Sequence, residues 1–300
     1  MKPSSKKSKN LYFPYFLLFL QPVFMASNLI VARGGVEFVP PISLAFWRWT
    51  TVFLLLIPFF YKPILKKINS LKDELSKLFF LGFTGCGICG AFPFIAGQTT
   101  TVVNMAVIYT SSPIFIILLS SLIYKEKINS IQILGLILCL IGVFSIIFKG
   151  DISILSSLEF TVGDIWMLGA AISWALYSVY LLNWKSKFDL LTRFVLIAMF
   201  GSISLFPFYL LEEFQRQSTS FDFNFIFWVM FAAISPAIIA FTLYAKVQKY
   251  LGASITGFTL YLFTVYGAFY GLIFFGETLE YYHLLGAFFV FIGIYLAKKN

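Results

Sequence analysis

Charge-free stretches alternate with short basic segments along the whole chain. They cover residues 11–32, 38–61, 78–124, 128–148, 165–184, 194–211, 223–245, 250–276 and 281–297, and within them only Arg48 interrupts the second stretch. These runs are apolar on every side, without the period-2 alternation of a membrane barrel, and about 20 apolar residues suffice for one helical crossing. The third run, at 47 residues, holds two helices, with Gln98-Thr99-Thr100-Thr101 as the turn between them. The pattern therefore predicts ten membrane helices, because backbone polar groups in lipid must be satisfied within their own segment.

Composition agrees: of 300 residues, 60% are hydrophobic and only 12% charged, and mean hydropathy is +0.89. A net charge of +9 would suggest nucleic acid in a soluble chain. Here the basic residues instead fall between the runs. On one side of the expected bundle, the N-terminal tail, the predicted 62–77 loop and later connections hold 17 Lys and Arg. The other side holds three, Arg33, Lys149 and Arg216. This bias places both termini in the cytoplasm of a multi-pass protein of the cell inner membrane. The run that follows the basic tail is long and has no small-x-small cleavage site, so it reads as a first helix and not as a removed signal peptide. The three cysteines, Cys86, Cys89 and Cys139, lie inside apolar runs and exclude a disulfide framework.

A displacement of 151 residues superposes Glu126 on Glu277, Gly135 on Gly286 and Gly142 on Gly293. A displacement of 146 brings Ser27 onto Ser173 and Asn28 onto Trp174. The chain thus divides into a basic tail (1–10) and two five-helix repeats (11–150 and 151–300). Five is odd, so the second repeat enters from the opposite face, an arrangement typical of secondary transporters with a midplane site between the halves.

The strings FMASNLIVAR, FWRWTTVFLLL, VNMAVIYTSSPIFIILLSSLIYKEKINSIQILGLILCLIGV, GDIWMLGAAISWALYSVYL and the second GE…G…G segment resemble, in order and spacing, the drug/metabolite transporter superfamily and its EamA-type ten-helix members. That resemblance implies an all-α polytopic fold that moves small metabolites through a central cavity. Helices 1 to 4 and 6 to 9 would wall the cavity, with 5 and 10 peripheral. Pro113, typical of helix 4 in that family, falls on Thr264 in the second half, so a kink shared by both halves is not expected.

Arg48 is the sharpest single feature. It lies near the bilayer centre, where a charge costs at least ~3 kcal/mol and must face protein or water. Two roles are open: an anchor for a substrate carboxylate or phosphate, flanked by Trp47 and Trp49, or a lock that binds helix-end carbonyls and joins the halves. Asn28, Gln98 and Asn104 are expected either to rim the cavity or to serve as interhelical glue. Tyr109, Trp174, Tyr177, Tyr244 and Tyr261 are the candidate aromatic walls. Arg193 is expected to snorkel at the membrane surface. Cys86 and Cys89, with the neighbouring glycines, read as small residues for close helix contact, since no further Cys or His completes a metal set. Glu126 and Glu277 read as caps or partners of nearby Lys.

No Walker loop, HExxH or GxSxG occurs, and no Asp or Glu lies within a predicted span, so neither an enzyme nor an ATP drive is expected. The expected function is secondary transport, in the export direction, of small zwitterionic or anionic metabolites, amino acids first. No catalytic residue, metal or cofactor is expected. The partners are the small-molecule substrate and membrane lipid, with a homodimer left open and no nucleic acid. The alternative is a non-transporting membrane receptor or scaffold, which would leave the inverted repeat without a purpose.

Overall fold

Helix ends along this chain are set by capping chemistry as much as by the edges of the apolar runs. Pro41 starts the second helix in the first turn, where its missing N–H costs nothing. The backbone N–H of Thr161 donates to Asp164 Oδ2 at 2.7 Å before the sixth, and Phe225 N donates to Asp222 Oδ1 at 2.9 Å before the eighth. Gly252, with φ +85°, breaks the chain ahead of the ninth.

The computed structural model describes residues 12–99, 105, 108–125, 127–148, 151, 153, 161–215, 219–275 and 280–297. Among these the long helices are α1 Tyr12–Ile30, α2 Pro41–Lys66, α3 Ile68–Ala96, α4 Ser112–Tyr124, α5 Ser130–Ile147, α6 Val162–Asn183, α7 Leu190–Gln215, α8 Phe223–Leu251, α9 Thr259–Phe275 and α10 Tyr281–Ala297, and no strand occurs among the described residues. Six of them (α1, α2, α3, α6, α7 and α8) are long and apolar enough to cross a membrane, and shorter apolar helices lie within α4, α5 and α10. Outer faces carry exposed Phe16, Leu54, Phe59, Phe206, Phe214 and Leu284, an apolar exterior that suits lipid and not water.

Three expectations from the runs need correction. The segment 62–77 is not a loop: α2 continues to Lys66 and α3 begins at Ile68. A helix need not end where the bilayer does, and Glu74 at this end accepts from Ser186 Oγ at 2.5 Å and Lys187 N at 2.7 Å. Helix α7 likewise extends past its apolar run to Gln215, so Glu212 and Glu213 lie on a long apolar helix. Finally, the run 250–276 is divided into a turn at Ala253–Gly257 and α9. Pro113 sits in the first turn of α4, where it opens the helix without kinking it, and Thr264 lies inside α9.

Packing repeats itself when each helix number is shifted by five. Helix α1 packs on α8 and α9, and α6 packs on α3 and α4; α2 packs on α8, and α7 on α3; α2–α7 and α5–α10 pair directly. The correspondence extends to single atoms. Helices α3 and α8 each widen through a π-type stretch, at Phe83–Ile88 and Ile234–Ile239, which are related by the same 151 positions as the glycines. In both, the N–H that follows bonds five residues back, Cys89 to Thr84 O and Ala240 to Ser235 O. Ser27 Oγ on α1 lies 2.7 Å from Ser235 Oγ, and Ser173 Oγ on α6 donates to Thr84 O at 3.0 Å. Each half thus reaches into the widened turn of the other. In the α5–α10 pair, a Cβ on Gly142 would lie 2.5 Å from Gly286 O, and one on Gly293 would lie 2.5 Å from Gly135 O. Only glycine permits that reciprocal backbone approach.

Candidate functional site

The widened turn in α8 creates the setting for Arg48. In a regular helix the N–H of Ala240 would bond Pro236 O, four residues back; here it is shared between Ala237 O and Ser235 O. Pro236 O is left to accept from Arg48 Nη2 at 3.0 Å, while Arg48 Nη1 donates to Asn28 Oδ1 at 3.0 Å. One guanidinium on α2 therefore ties α1 to α8, across the boundary between the halves. The Arg48 side chain is buried, its cation lies 4.8 Å from the Trp49 ring centroid, and its Nε has no partner.

Around it lies a cavity of about 70 Å³, lined by Asn28, Arg48, Trp49, Tyr109, Trp174 and Pro236, with Gly85, Cys89, Phe241 and Phe263 among the other walls. The lining contains no carboxylate among the described residues, and three of its residues carry buried N–H groups without partners, Arg48 Nε, Trp49 Nε1 and Trp174 Nε1. A buried donor without an acceptor is costly, about 1–3 kcal/mol. The site is therefore complementary to a ligand that brings acceptor oxygens. Cys89 Sγ and Tyr109 OH lie 3.5 Å apart on one wall.

The symmetry partner of Pro236 is Gly85, whose helical donor, the N–H of Cys89, has turned to Thr84 O. Among the described residues, no arginine of the second half takes the place that Arg48 has in the first. Instead the Tyr177 ring presses on Gly85 so closely that any Cβ there would collide with it. The two widened turns thus share a register and differ in chemistry.

Of the residues singled out in the sequence, Asn28, Arg48, Tyr109 and Trp174 meet at this cavity. The others go elsewhere. Trp47 faces away from it, into a cluster with Phe46, Tyr209, Phe221 and Phe225; it is Trp49 that accompanies Arg48, since neighbours on a helix diverge by about 100°. Gln98 lines a separate lateral cavity of about 480 Å³. Tyr244 is buried behind Trp174, its hydroxyl 2.5 Å from Ser178 Oγ. Tyr261 lies in a second apolar cluster with Leu17, Phe258 and Val290. Tyr177 borders a cavity at the Lys-rich end. Asn104, Glu126 and Glu277 lie outside the described residues. Arg193 does not snorkel freely: its Nη1 donates to Leu181 O at 2.8 Å, at the end of α6. Cys86 does pack as a small residue, since a Cβ on Gly201 of α7 would run into its own Cβ.

Sequence reasoning missed Pro236 and Gly85, because a π-type widening has no motif; the only available signal was their spacing of 151 in an already recognised repeat. It also missed Glu212. That carboxylate crosses from α7 to the start of α2, where it accepts from Ile42 N at 3.2 Å, Ser43 N at 2.6 Å and Ser43 Oγ at 2.8 Å. A carboxylate at a helix N-terminus satisfies orphan donors and opposes the helix dipole.

Comparison with known proteins adds the following. The model of the EamA-like transporter family matches twice, over residues 12–148 and 161–298. An uncharacterized transporter of Archaeoglobus fulgidus is 26% identical over 290 residues, covering 95% of this chain and 97% of that protein. The uncharacterized transporter YdfC of Bacillus subtilis is 27% identical over 257 residues, covering 85% of this chain and 80% of that one. A solved crystal structure superposes with a TM-score of 0.73 at 16% identity, covering 94% of this chain and 95% of the other, and so shares its fold.

Proposed function

The chain belongs to the EamA-like transporter family, and from that premise we propose that it is a secondary transporter that exports small zwitterionic or anionic metabolites, amino acids first, by alternating access. Family and relatives are transporters, not enzymes, and the apolar helices make this a multi-pass membrane protein. The substrate reading rests on one observation above all: the cavity between the halves offers buried N–H donors at Arg48 Nε and Trp49 Nε1, and no carboxylate among the described lining residues. A substrate carboxylate satisfies those donors. A polycation would find no counter-charge there. The carbonyl of Gly85, whose helical donor has turned away, supplies an acceptor for an ammonium group on the opposite wall.

Arg48 combines both roles foreseen for it. Its Nη1 and Nη2 join α1 to α8, and its Nε, buried without a partner, is left for the substrate. Binding at Nε then acts on the same side chain that ties the halves, which couples occupancy to their relative position. Drug-sized sites measure about 300–1,000 Å³, so at about 70 Å³ this cavity admits a metabolite only as the halves move apart. The inverted repeat supplies two equivalent ways of opening. The proposed topology has ten crossings with both termini cytoplasmic, in the inner membrane.

Uptake of a panel of amino acids, nucleosides and organic acids into proteoliposomes tests the function. Saturable flux of an amino acid is expected, with its affinity lowered in Arg48→Lys, because a lysine lacks the planar fork. Absence of flux for the whole panel in folded protein would favour a receptor or scaffold. A reporter active only in the cytoplasm is expected to work at Asn69, Asn129 or Asn300 and to fail at Asp151 or Ser220; activity at Ser220 would overturn the topology.

A further inference from the structure

A second cavity, of about 260 Å³, lies at the Lys-rich end between the end of α6, the start of α7 and α8. Its lining includes Arg193, Lys185, Lys249 and Gln248, together with Trp184 and Tyr177, and contains no carboxylate among the described residues. Arg193 uses Nη1 on Leu181 O, and its buried Nε has no partner. Gln248 is held in place by donating to Ser178 O at 2.6 Å and Ser178 Oγ at 2.8 Å. On the neighbouring α3, Glu74 is already engaged by Ser186 Oγ and Lys187 N and Asp73 by Lys187 Nζ, while Asp189, between the lining residues Phe188 and Leu190, is exposed. Lys185 and Lys249 are exposed at the mouth.

This arrangement resembles that of the central cavity: a guanidinium fixed to a main-chain carbonyl, with a buried Nε left over, although Arg193 is half-buried where Arg48 is fully buried. The two cavities adjoin across one aromatic layer. Tyr177 borders the outer one and presses on Gly85, which borders the inner one. Trp174, 5.4 Å from Tyr177 between ring centroids, faces the inner side.

We propose that the Arg193 cavity is a waiting site for the anionic group, carboxylate or phosphate, of the transported metabolite, one aromatic layer short of Arg48. The proposal rests on the transport reading for its purpose, but its binding chemistry is testable without transport. The larger volume accepts what the central cavity cannot yet hold, and three cations in a lining with no carboxylate among the described residues draw anions to the mouth. The free edge of Arg193 takes the oxygens bidentately.

Trp184, in the lining, is the built-in reporter. Its fluorescence is isolated by subtracting the signal of a Trp184→Phe protein, and its quenching is followed in lipid-free detergent at constant ionic strength. Iodide is expected to quench it about threefold more effectively than caesium, and acetate or inorganic phosphate to protect it. Arg193→Gln should abolish that protection, while Arg193→Lys retains part of it. Because Arg193→Gln also removes a helix-end bond, the double variant Lys185→Gln with Lys249→Gln provides the second test. Both side chains are exposed, so the fold is spared, and protection should fall by about half.

Protection that survives both variants, or equal quenching by iodide and caesium, would overturn the proposal. So would protection that acetate and phosphate fail to give but phosphatidylglycerol in nanodiscs does, because the occupant would then be a lipid headgroup. An Arg48 variant that leaves transport untouched would defeat the central-site reading while leaving the Trp184 result intact, so the two failures are distinguishable.

Discussion

The widened turns at Phe83–Ile88 and Ile234–Ile239 stand in the same register, 151 residues apart, and each diverts the following N–H five residues back. At the second, Pro236 O is held by Arg48. At the first, Gly85 meets the ring of Tyr177 and borders the cavity. The duplicated fold supplies two hinge-like irregularities, and single residues that broke the symmetry supply the chemistry. Carbonyls exposed by a broken helix in a membrane need a partner; the protein gives the one at Pro236 an arginine, and the corresponding Gly85 borders the cavity.

The largest effect is expected from removing the arginine. Arg48→Ala strands Pro236 O and Asn28 Oδ1 in the interior, so thermal unfolding in detergent should report a loss of about 3 kcal/mol, and uptake per folded molecule should vanish. Loss of uptake without destabilisation would show that Arg48 serves the substrate alone and that the two turns are structurally equivalent.

Next in size is the α5–α10 pair, whose symmetry is intact. Gly142→Ala or Gly293→Ala pushes a methyl into a backbone carbonyl and should cost about 1–3 kcal/mol each. The two losses should be alike and uptake per folded molecule unchanged, as expected for a scaffold remote from the cavity. A change in substrate affinity would contradict that division of labour.

Gly85→Ala tests the first turn. Its methyl collides with Tyr177, so melting temperature and uptake should both fall, and Gly85→Ala with Tyr177→Ala should recover part of the loss. A coupling energy of about 1 kcal/mol or more in the double-mutant cycle is expected. Additive effects would mean that the ring does not rest on this turn.

The smallest effect compares Ser27→Ala with Ser173→Ala, each of which removes one bond into the opposite half's widened turn. Interhelical bonds in membranes average about 0.6 kcal/mol, and the two losses should match. A marked inequality would place the asymmetry of the site in the hinges as well as in Arg48.

Much of the architecture is legible from the residues alone. Charge-free runs locate the helices, because lipid forces each segment to satisfy its own backbone bonds. The displacement of 151 locates the duplication, and Gly142 and Gly293 are required by one reciprocal contact with the carbonyls of Gly286 and Gly135. A buried Arg48 is conspicuous because a charge in an apolar run has few tolerable environments. The sequence likewise determined the family, through the order of its motifs.

What only the tertiary structure decided is which polar atoms remain without partners. Trp47 and Trp49 read alike in the chain, yet helix geometry sends Trp47 into an aromatic cluster and Trp49 to the cavity. Arg193 read as a surface group and turned out to hold the end of α6 while bordering a second cavity. Glu212, just beyond an apolar run, caps a helix of the other half. Pro236 and Gly85 carry their roles on main-chain carbonyls, which no side-chain pattern records. Periodicity fixes the environment a helix face requires; the partner of a particular atom depends on which helices cross there, and that is set by packing among segments far apart in the chain.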